Sequence, residues 1–259
     1  MIPLKVGDDS DSLQRDGKMT TFVQQAVSLD VTMELTASSR QRLVGHDLPK
    51  FIAVEGPIGV GKTTLANRLA QTLQYPILLE PSTENPFLDR FYRDGKRHAL
   101  STQLYFLLHR ARQVADIRAN DLLGPNLVAD FLIEKDDLFA RLTLDDNEYA
   151  LYRQIYENLA IQVPTPDLVI YLQAPANILL ERIRARGIHY EREITADYLE
   201  SLIQSYTEFF HFYDAGPLLV VNATEIDIAN NADHFDALLD QIVAMDGLRQ
   251  YFNPNPTLL

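Results

Sequence analysis

A chain that carries Gly56-Pro57-Ile58-Gly59-Val60-Gly61-Lys62-Thr63-Thr64 directly after the apolar run Phe51-Ile52-Ala53-Val54 has few folds open to it. The segment satisfies G-x-x-x-x-G-K-S/T in full. A buried-strand pattern precedes it and a helical pattern follows, the context that a phosphate-binding loop requires. Glycines at 56, 59 and 61 free the backbone, so successive N–H groups converge on phosphate oxygens at the positive end of the next helix. Lys62 is then expected to reach the β- and γ-phosphates, and the Thr63 hydroxyl to ligate Mg²⁺. A glycine-rich turn matching by chance would lack the strand and the helix.

From about Leu48 onward, short runs rich in Leu, Val and Ile at 51–55, 77–80, 127–130, 168–172 and 218–222 alternate with helical segments. In the latter, apolar residues recur about every fourth position, as in Leu100, Leu104 and Leu108 or Leu151, Ile155 and Leu159. The order predicts an α/β domain over 48–259, a five-stranded parallel sheet with helices on both faces. With 259 residues and 46% hydrophobic content, a substantial core is within reach. Residues 1–47 read as a mobile extension. They are polar at Gly7-Asp8-Asp9-Ser10 and have at most one short strand or helical turn at Val31-Thr32-Met33-Glu34-Leu35. The Asn/Pro-rich tail from Gly247 reads as surface.

Ligands of such sheets bind beyond the carboxyl ends of the strands. Glu80, before Pro81, and Asp130 both stand there, and Asp130 is where a phosphate-loop fold holds the hydration shell of Mg²⁺. A helix over about 99–122 places Gln103, Leu107 and Arg110 on one face, where a carboxamide and a guanidinium can read a base; a solvated stripe is the alternative. Glu134-Lys135-Asp136-Asp137 is a charge cluster, in part a helix cap. Arg182 and Arg186 share a face and suggest a lid offering bidentate donors to a transferring phosphoryl group. The segment 223–227 is a plausible loop over an adenine.

There is no cysteine, which excludes disulfides, thiolate metal sites and cysteine nucleophiles. A net charge of −13 argues against a nucleic-acid polymer as partner. No run of about eighteen apolar residues suggests a membrane span, and the expected location is cytoplasmic.

From Leu48 to the C-terminus the chain resembles the deoxynucleoside kinases, most closely their bacterial deoxyadenosine/deoxyguanosine branch. The resemblance rests on Glu55 with the phosphate loop, Leu79-Glu80-Pro81, Tyr92, Gln103 and Arg110 in their spacing, and Arg182-x-x-x-Arg186-Gly followed by Glu191. It implies an ATP-dependent kinase of a deoxynucleoside, a purine more than a pyrimidine, and a homodimer. It also implies that Glu80 takes the proton of the sugar 5′-hydroxyl, and that Tyr92 and Glu191 hold the 3′-hydroxyl. Gln103, Arg110 and Asp136 would then face the base, Asp130 the Mg²⁺, and Arg182 and Arg186 the phosphoryl charge. Where the family often has an arginine after the third strand, this chain has Asp130-Phe131-Leu132, leaving Lys135, Arg184 or Arg192 to supply the charge.

Two other readings share the fold. A thymidylate-type monophosphate kinase would need a basic acceptor site where Glu80 stands, and Glu80 would repel a phosphate. A catalytically silent relative, like the accessory subunit of respiratory complex I, is suggested by Phe131 and opposed by Lys62, Thr63, Glu80 and Arg186.

Overall fold

The computed structural model describes residues 39–120, 126–132, 134–159, 164–227 and 231–254. The chain divides into two units, Met1–Val44 and Gly45–Leu259. Of the first unit, the described residues form a helical turn at 39–41, after which the Leu43 N–H donates to the Arg40 carbonyl at 3.0 Å. The short element expected at 31–35 and the helix end expected at Leu122 lie outside the described residues.

The second unit is a parallel sheet of six strands in the order β2-β3-β1-β4-β5-β6. Strand β1 (Phe51–Glu55) is buried along its whole length, as a strand covered on both faces must be. The phosphate loop follows and leads into helix α1 (Lys62–Leu73). Then come β2 (Ile77–Leu78), α2 (Leu88–Arg93) and the long α3 (Gly95–Asn120). Strand β3 (Leu127–Ala129) precedes α4 (Lys135–Thr143) and α5 (Asp146–Leu159). The rest comprises β4 (Leu168–Gln173), α6 (Ala176–Arg186), a 3₁₀ turn at His189–Glu193, α7 (Ala196–His211), β5 (Leu218–Asn222), α8 (Ala232–Val243) and β6 (Arg249–Phe252).

The count of six corrects the expected five. Residues 249–252, expected to be surface tail, pair with β5 instead. As an edge strand, β6 has no need of the apolar run by which buried strands are recognised. Polar contacts fasten it: Arg249 Nη2 donates to the Phe210 carbonyl at 2.8 Å, and Gln241 Nε2 to Gln250 Oε1 at 2.7 Å. Strand β2 stops at Leu78 rather than 80, because the next ladder position is taken by a side chain: the Glu80 N–H donates to Asp130 Oδ1 at 2.7 Å. Leu108 and Leu151 belong to periodic apolar stripes, yet they are 43% and 46% exposed. Among the described residues no helix is long and apolar enough to cross a membrane.

Two packing features bear on the site. Tyr171 on β4 stacks against Phe210 on α7 with ring centroids 4.1 Å apart, which sets α7 close enough for Tyr206 to reach the end of β1. Helix α6 ends at Gly187 in the left-handed region, so the chain turns back and brings Glu191 under Arg186.

Candidate active site

The phosphate loop leaves β1 at Gly56, whose φ is +147°. A Cβ there would stand 2.4 Å from the Leu172 carbonyl oxygen, and one at Gly59 would stand 2.8 Å from Ile183. Both positions therefore need glycine, one against β4 and one against α6. Lys62 Nζ donates to the Gly56 carbonyl at 2.7 Å and to that of Pro57 at 3.2 Å. Burial lowers its pKa, against the pull of Glu55.

A cleft of about 530 Å³ opens over the loop, lined by Gly59 to Thr64, Arg182, Arg186 and 223–227. A second cavity of about 130 Å³ lies beneath, lined among others by Glu80, Tyr92, Gln103, Arg110, Lys135 and Glu191. The two share Gly59, Lys62, Thr63 and Arg186.

Glu80 is the hub of the smaller cavity. Its Oε1 accepts from Arg110 Nη1, and its Oε2 from Lys135 Nζ at 3.1 Å. Burial pushes the carboxyl up, but Lys135 and Arg110 outweigh it and hold the group at about 2. Arg110 in turn makes a bidentate pair with Asp136, through Nε to Oδ2 at 2.9 Å and Nη2 to Oδ1. Burial pushes Asp136 to about 6 despite Arg110. Gln103 Nε2, on the same face of α3, donates to Thr143 Oγ1 at 3.2 Å. Gln103, Leu107 and Arg110 are all buried, so this face is no solvated stripe.

Thr63 Oγ1 donates to Asp130 Oδ2 at 2.6 Å. Burial raises the Asp130 pKa, while the bonds from Thr63 and the Glu80 N–H oppose the rise. Arg186 Nη2 bonds Glu191 Oε1 at 2.7 Å, so the lid arginine and the expected sugar ligand hold each other. Tyr92 stacks on Tyr190 at 6.2 Å with the rings 4° from parallel. Arg182 reaches the carbonyls of Ala223 at 2.8 Å, Thr224 at 3.1 Å and Val60 at 3.4 Å. It thus fastens 223–224 to the phosphate loop, on the cleft side, rather than meeting the other lid arginine.

Of the three replacements weighed for the missing arginine, Lys135 alone reaches the smaller cavity; Arg184 and Arg192 are exposed. Phe131 is buried, with the Arg110 guanidinium and the Lys135 ammonium each 5.8 Å from its ring centroid. Glu55 escaped the sequence reading altogether as a site residue. It is fully buried, and its Oε1 accepts from the Gly56 N–H at 2.9 Å and from Tyr206 Oη at 2.8 Å. Its Oε2 accepts from the Leu132 N–H at 2.8 Å and lies 3.6 Å from Lys135 Nζ. The signal was present: Glu55 ends a strand at the sheet's carboxyl edge, as Glu80 and Asp130 nearly do.

The family model for deoxynucleoside kinases matches residues 52–245. A deoxyguanosine kinase of Bacillus subtilis (strain 168) is 37% identical over 193 residues, covering 73% of this chain and 93% of the relative. A deoxyadenosine/deoxycytidine kinase of the same organism is 30% identical over 210 residues, covering 77% and 95%. Among solved structures, a deoxyadenosine kinase from M. mycoides with bound dATP is similar at a TM-score of 0.64 and 29% identity, covering 74% of this chain and 98% of that one.

Proposed function

This chain belongs to the deoxynucleoside kinase family, and on that premise we propose how its two cavities divide one phosphoryl transfer. The protein is an ATP-dependent phosphotransferase that converts a deoxynucleoside to its 5′-monophosphate. The observation that carries the division is that the cavities meet at Lys62, Thr63 and Arg186, with Glu80 on the smaller side alone.

ATP occupies the larger cleft. The amides of residues 56–64 hold its phosphates, and Lys62 exchanges the carbonyls of Gly56 and Pro57 for β/γ oxygens. The deoxynucleoside occupies the smaller cavity. Tyr92 and Glu191 hold the 3′-hydroxyl, and Gln103 with the Arg110–Asp136 pair faces the base. Glu80 takes the 5′-hydroxyl proton while that oxygen bonds to the γ-phosphorus and the bond to the β-bridging oxygen breaks, releasing ADP. Arg186 turns from Glu191 toward the transferring group, and Arg182 completes the lid from its seat on 223–224.

The oxygens of Thr63 and Asp130, 2.6 Å apart beside Lys62, suit Mg²⁺. Two side-chain oxygens leave room for the waters and phosphate oxygens that this ion keeps. Bound there, Mg²⁺ supplies neutralising charge at the β/γ oxygens.

A purine is the favoured base: the deoxyguanosine kinase relative is named for a purine, and the deoxyadenosine/deoxycytidine kinase for one purine and one pyrimidine. A homodimer through α3 and α5 is supported by Leu108 and Leu151, apolar and exposed on those helices. We further assign the protein to the cytoplasm and residues 1–47 to a dispensable extension of the 48–259 domain. A monophosphate acceptor is disfavoured, since Glu80 would face its charge. The test is transfer from Mg-ATP to each of the four deoxynucleosides, with thymidylate as a fifth acceptor. Preference for deoxyadenosine or deoxyguanosine is expected; transfer to thymidylate alone would overturn the assignment.

A further inference from the structure

We propose that Lys135 is a positioning residue for the transfer, a buried ammonium that carries the register of the phosphate loop to Glu80 through Glu55. The inference rests on Glu80 being the group that takes the 5′-hydroxyl proton.

The backbone alone does not fix Glu80. Strand β2 has ended at Leu78, and the segment that follows has no ladder to set the direction of its side chain. Three contacts set it instead: the Glu80 N–H on Asp130, Arg110 on Oε1, and Lys135 on Oε2. Each cation has a second carboxylate behind it, Asp136 for Arg110 and Glu55 for Lys135. Asp136, Arg110, Glu80, Lys135 and Glu55 thus alternate in charge. Four of them are buried, and the Glu80 side chain is only 20% exposed. Arrays of this kind are costly to desolvate and weak as a source of stability, so geometry is the better explanation for one.

The Glu55 end makes the array specific. Glu55 has no conformational freedom to give: it is the last residue of a fully buried strand, and three donors hold its two oxygens, from Gly56, Tyr206 and Leu132. One of those donors, the Gly56 N–H, belongs to the first residue of the phosphate loop. The path from Gly56 through Glu55 and Lys135 to Glu80 therefore joins the element that seats the phosphates to the carboxylate on the acceptor side. Every link is a hydrogen bond or an ion pair of 3.6 Å or less. Arg110 ties the same carboxylate to the wall facing the base, so the two cations fix Glu80 from opposite sides. Lys135 itself lines the smaller cavity, with its ammonium held between its two carboxylates.

The experiment compares wild type, Lys135→Met, Lys135→Arg and Glu80→Gln by steady-state kinetics with each substrate varied. Calorimetric affinity for the deoxynucleoside and a melting curve are recorded for each. Lys135→Met is expected to lower kcat about 10²-fold, the loss that small misplacements of reacting groups produce. Its KM for ATP and its nucleoside affinity should stay within about threefold of wild type, since the Lys135 ammonium, though it lines the smaller cavity, is engaged by Glu80 and Glu55. Lys135→Arg, which keeps a cation between Glu55 and Glu80, should recover about tenfold of that loss. A Lys135→Met enzyme with wild-type kcat would overturn the inference, as would a loss of affinity and melting temperature in step with kcat. If Lys135→Met does not fold, Lys135→Gln keeps a donor without the charge and takes its place under the same criteria. Should neither fold, Lys135 is a stability residue and the inference fails. Glu80→Gln separates the two levels: full activity there would remove the premise, whereas its loss beside an active Lys135→Met would remove only the inference.

Discussion

The Thr63 hydroxyl donates to Asp130 Oδ2 at 2.6 Å while the other oxygen of the same carboxylate holds the Glu80 backbone N–H at 2.7 Å. One side chain at the end of β3 thus joins the first turn of α1 to the acceptor-side carboxylate. Asp130→Asn keeps an oxygen for one of these contacts and loses the charge. The half-saturating Mg²⁺ concentration should rise severalfold, with kcat/KM falling about 10²-fold. A magnesium titration superimposable on that of wild type would remove Asp130 from the metal site.

Among the described residues, Lys62 Nζ donates its hydrogen bonds to carbonyls of its own loop, those of Gly56 and Pro57. Lys62→Ala should therefore leave the melting temperature nearly unchanged, while turnover falls by at least about 10²-fold, the scale of losing one charge-stabilising donor. An unchanged rate would refute the phosphate-loop assignment.

The pH profile separates two carboxylates. Glu80 is held at about 2 and stays ionised throughout the working range. Asp136 is raised to about 6, so as the pH falls through that value it takes up a proton and Arg110 loses its bidentate acceptor. The kcat/KM for the deoxynucleoside should fall with it, as a limb reporting the free enzyme. Asp136→Asn should abolish this limb and alter base preference; persistence of the limb in that variant would assign it elsewhere.

Two glycines should respond in opposite directions. Gly56→Ala places a Cβ against the Leu172 carbonyl at a φ of +147° and should destabilise the fold by about 1–3 kcal/mol. Gly95→Ala, at the start of α3 with open space around it, should stabilise by about 0.4–1 kcal/mol by restricting the unfolded chain. Chemical denaturation of the two variants beside wild type measures both.

On the proposed homodimer, Leu108→Glu combined with Leu151→Glu should give a monomer in sedimentation equilibrium without lowering the melting temperature of the protomer, because both side chains are about half exposed. A dimer that survives would place the interface elsewhere.

The sequence announced the sheet's buried strands because burial on both faces demands continuous apolar runs, and β1, β4 and β5 have them. It concealed β6, whose Arg249 and Gln250 satisfy polar neighbours at a sheet edge. Site residues that stand alone after strands, Glu80 and Asp130, were conspicuous as carboxylates at the carboxyl edge. Lys135 was visible as one charge in a cluster and as one of three candidates for the missing arginine's charge, but nothing in the spacing says that it turns inward while Asp137 binds Arg141 at the surface. Glu55 was overlooked because the motif beside it accounted for its neighbourhood. Arg182 and Arg186 share a face as expected, but their partners, a loop carbonyl pair and a carboxylate five residues on, are tertiary facts.

The rims of the sheet have a consequence for how copies of this chain meet. Strand β2 has two residues, between Pro76 and the Leu79-Glu80-Pro81 turn; β6 has four and runs into Pro254. Neither offers a long row of open amides and carbonyls, and the prolines that flank β2 and the one that follows β6 each deny a docking strand a hydrogen bond. Among the described residues, strand addition and cross-β stacking accordingly find only a short template at either rim, in keeping with the proposed association through the flanking helices.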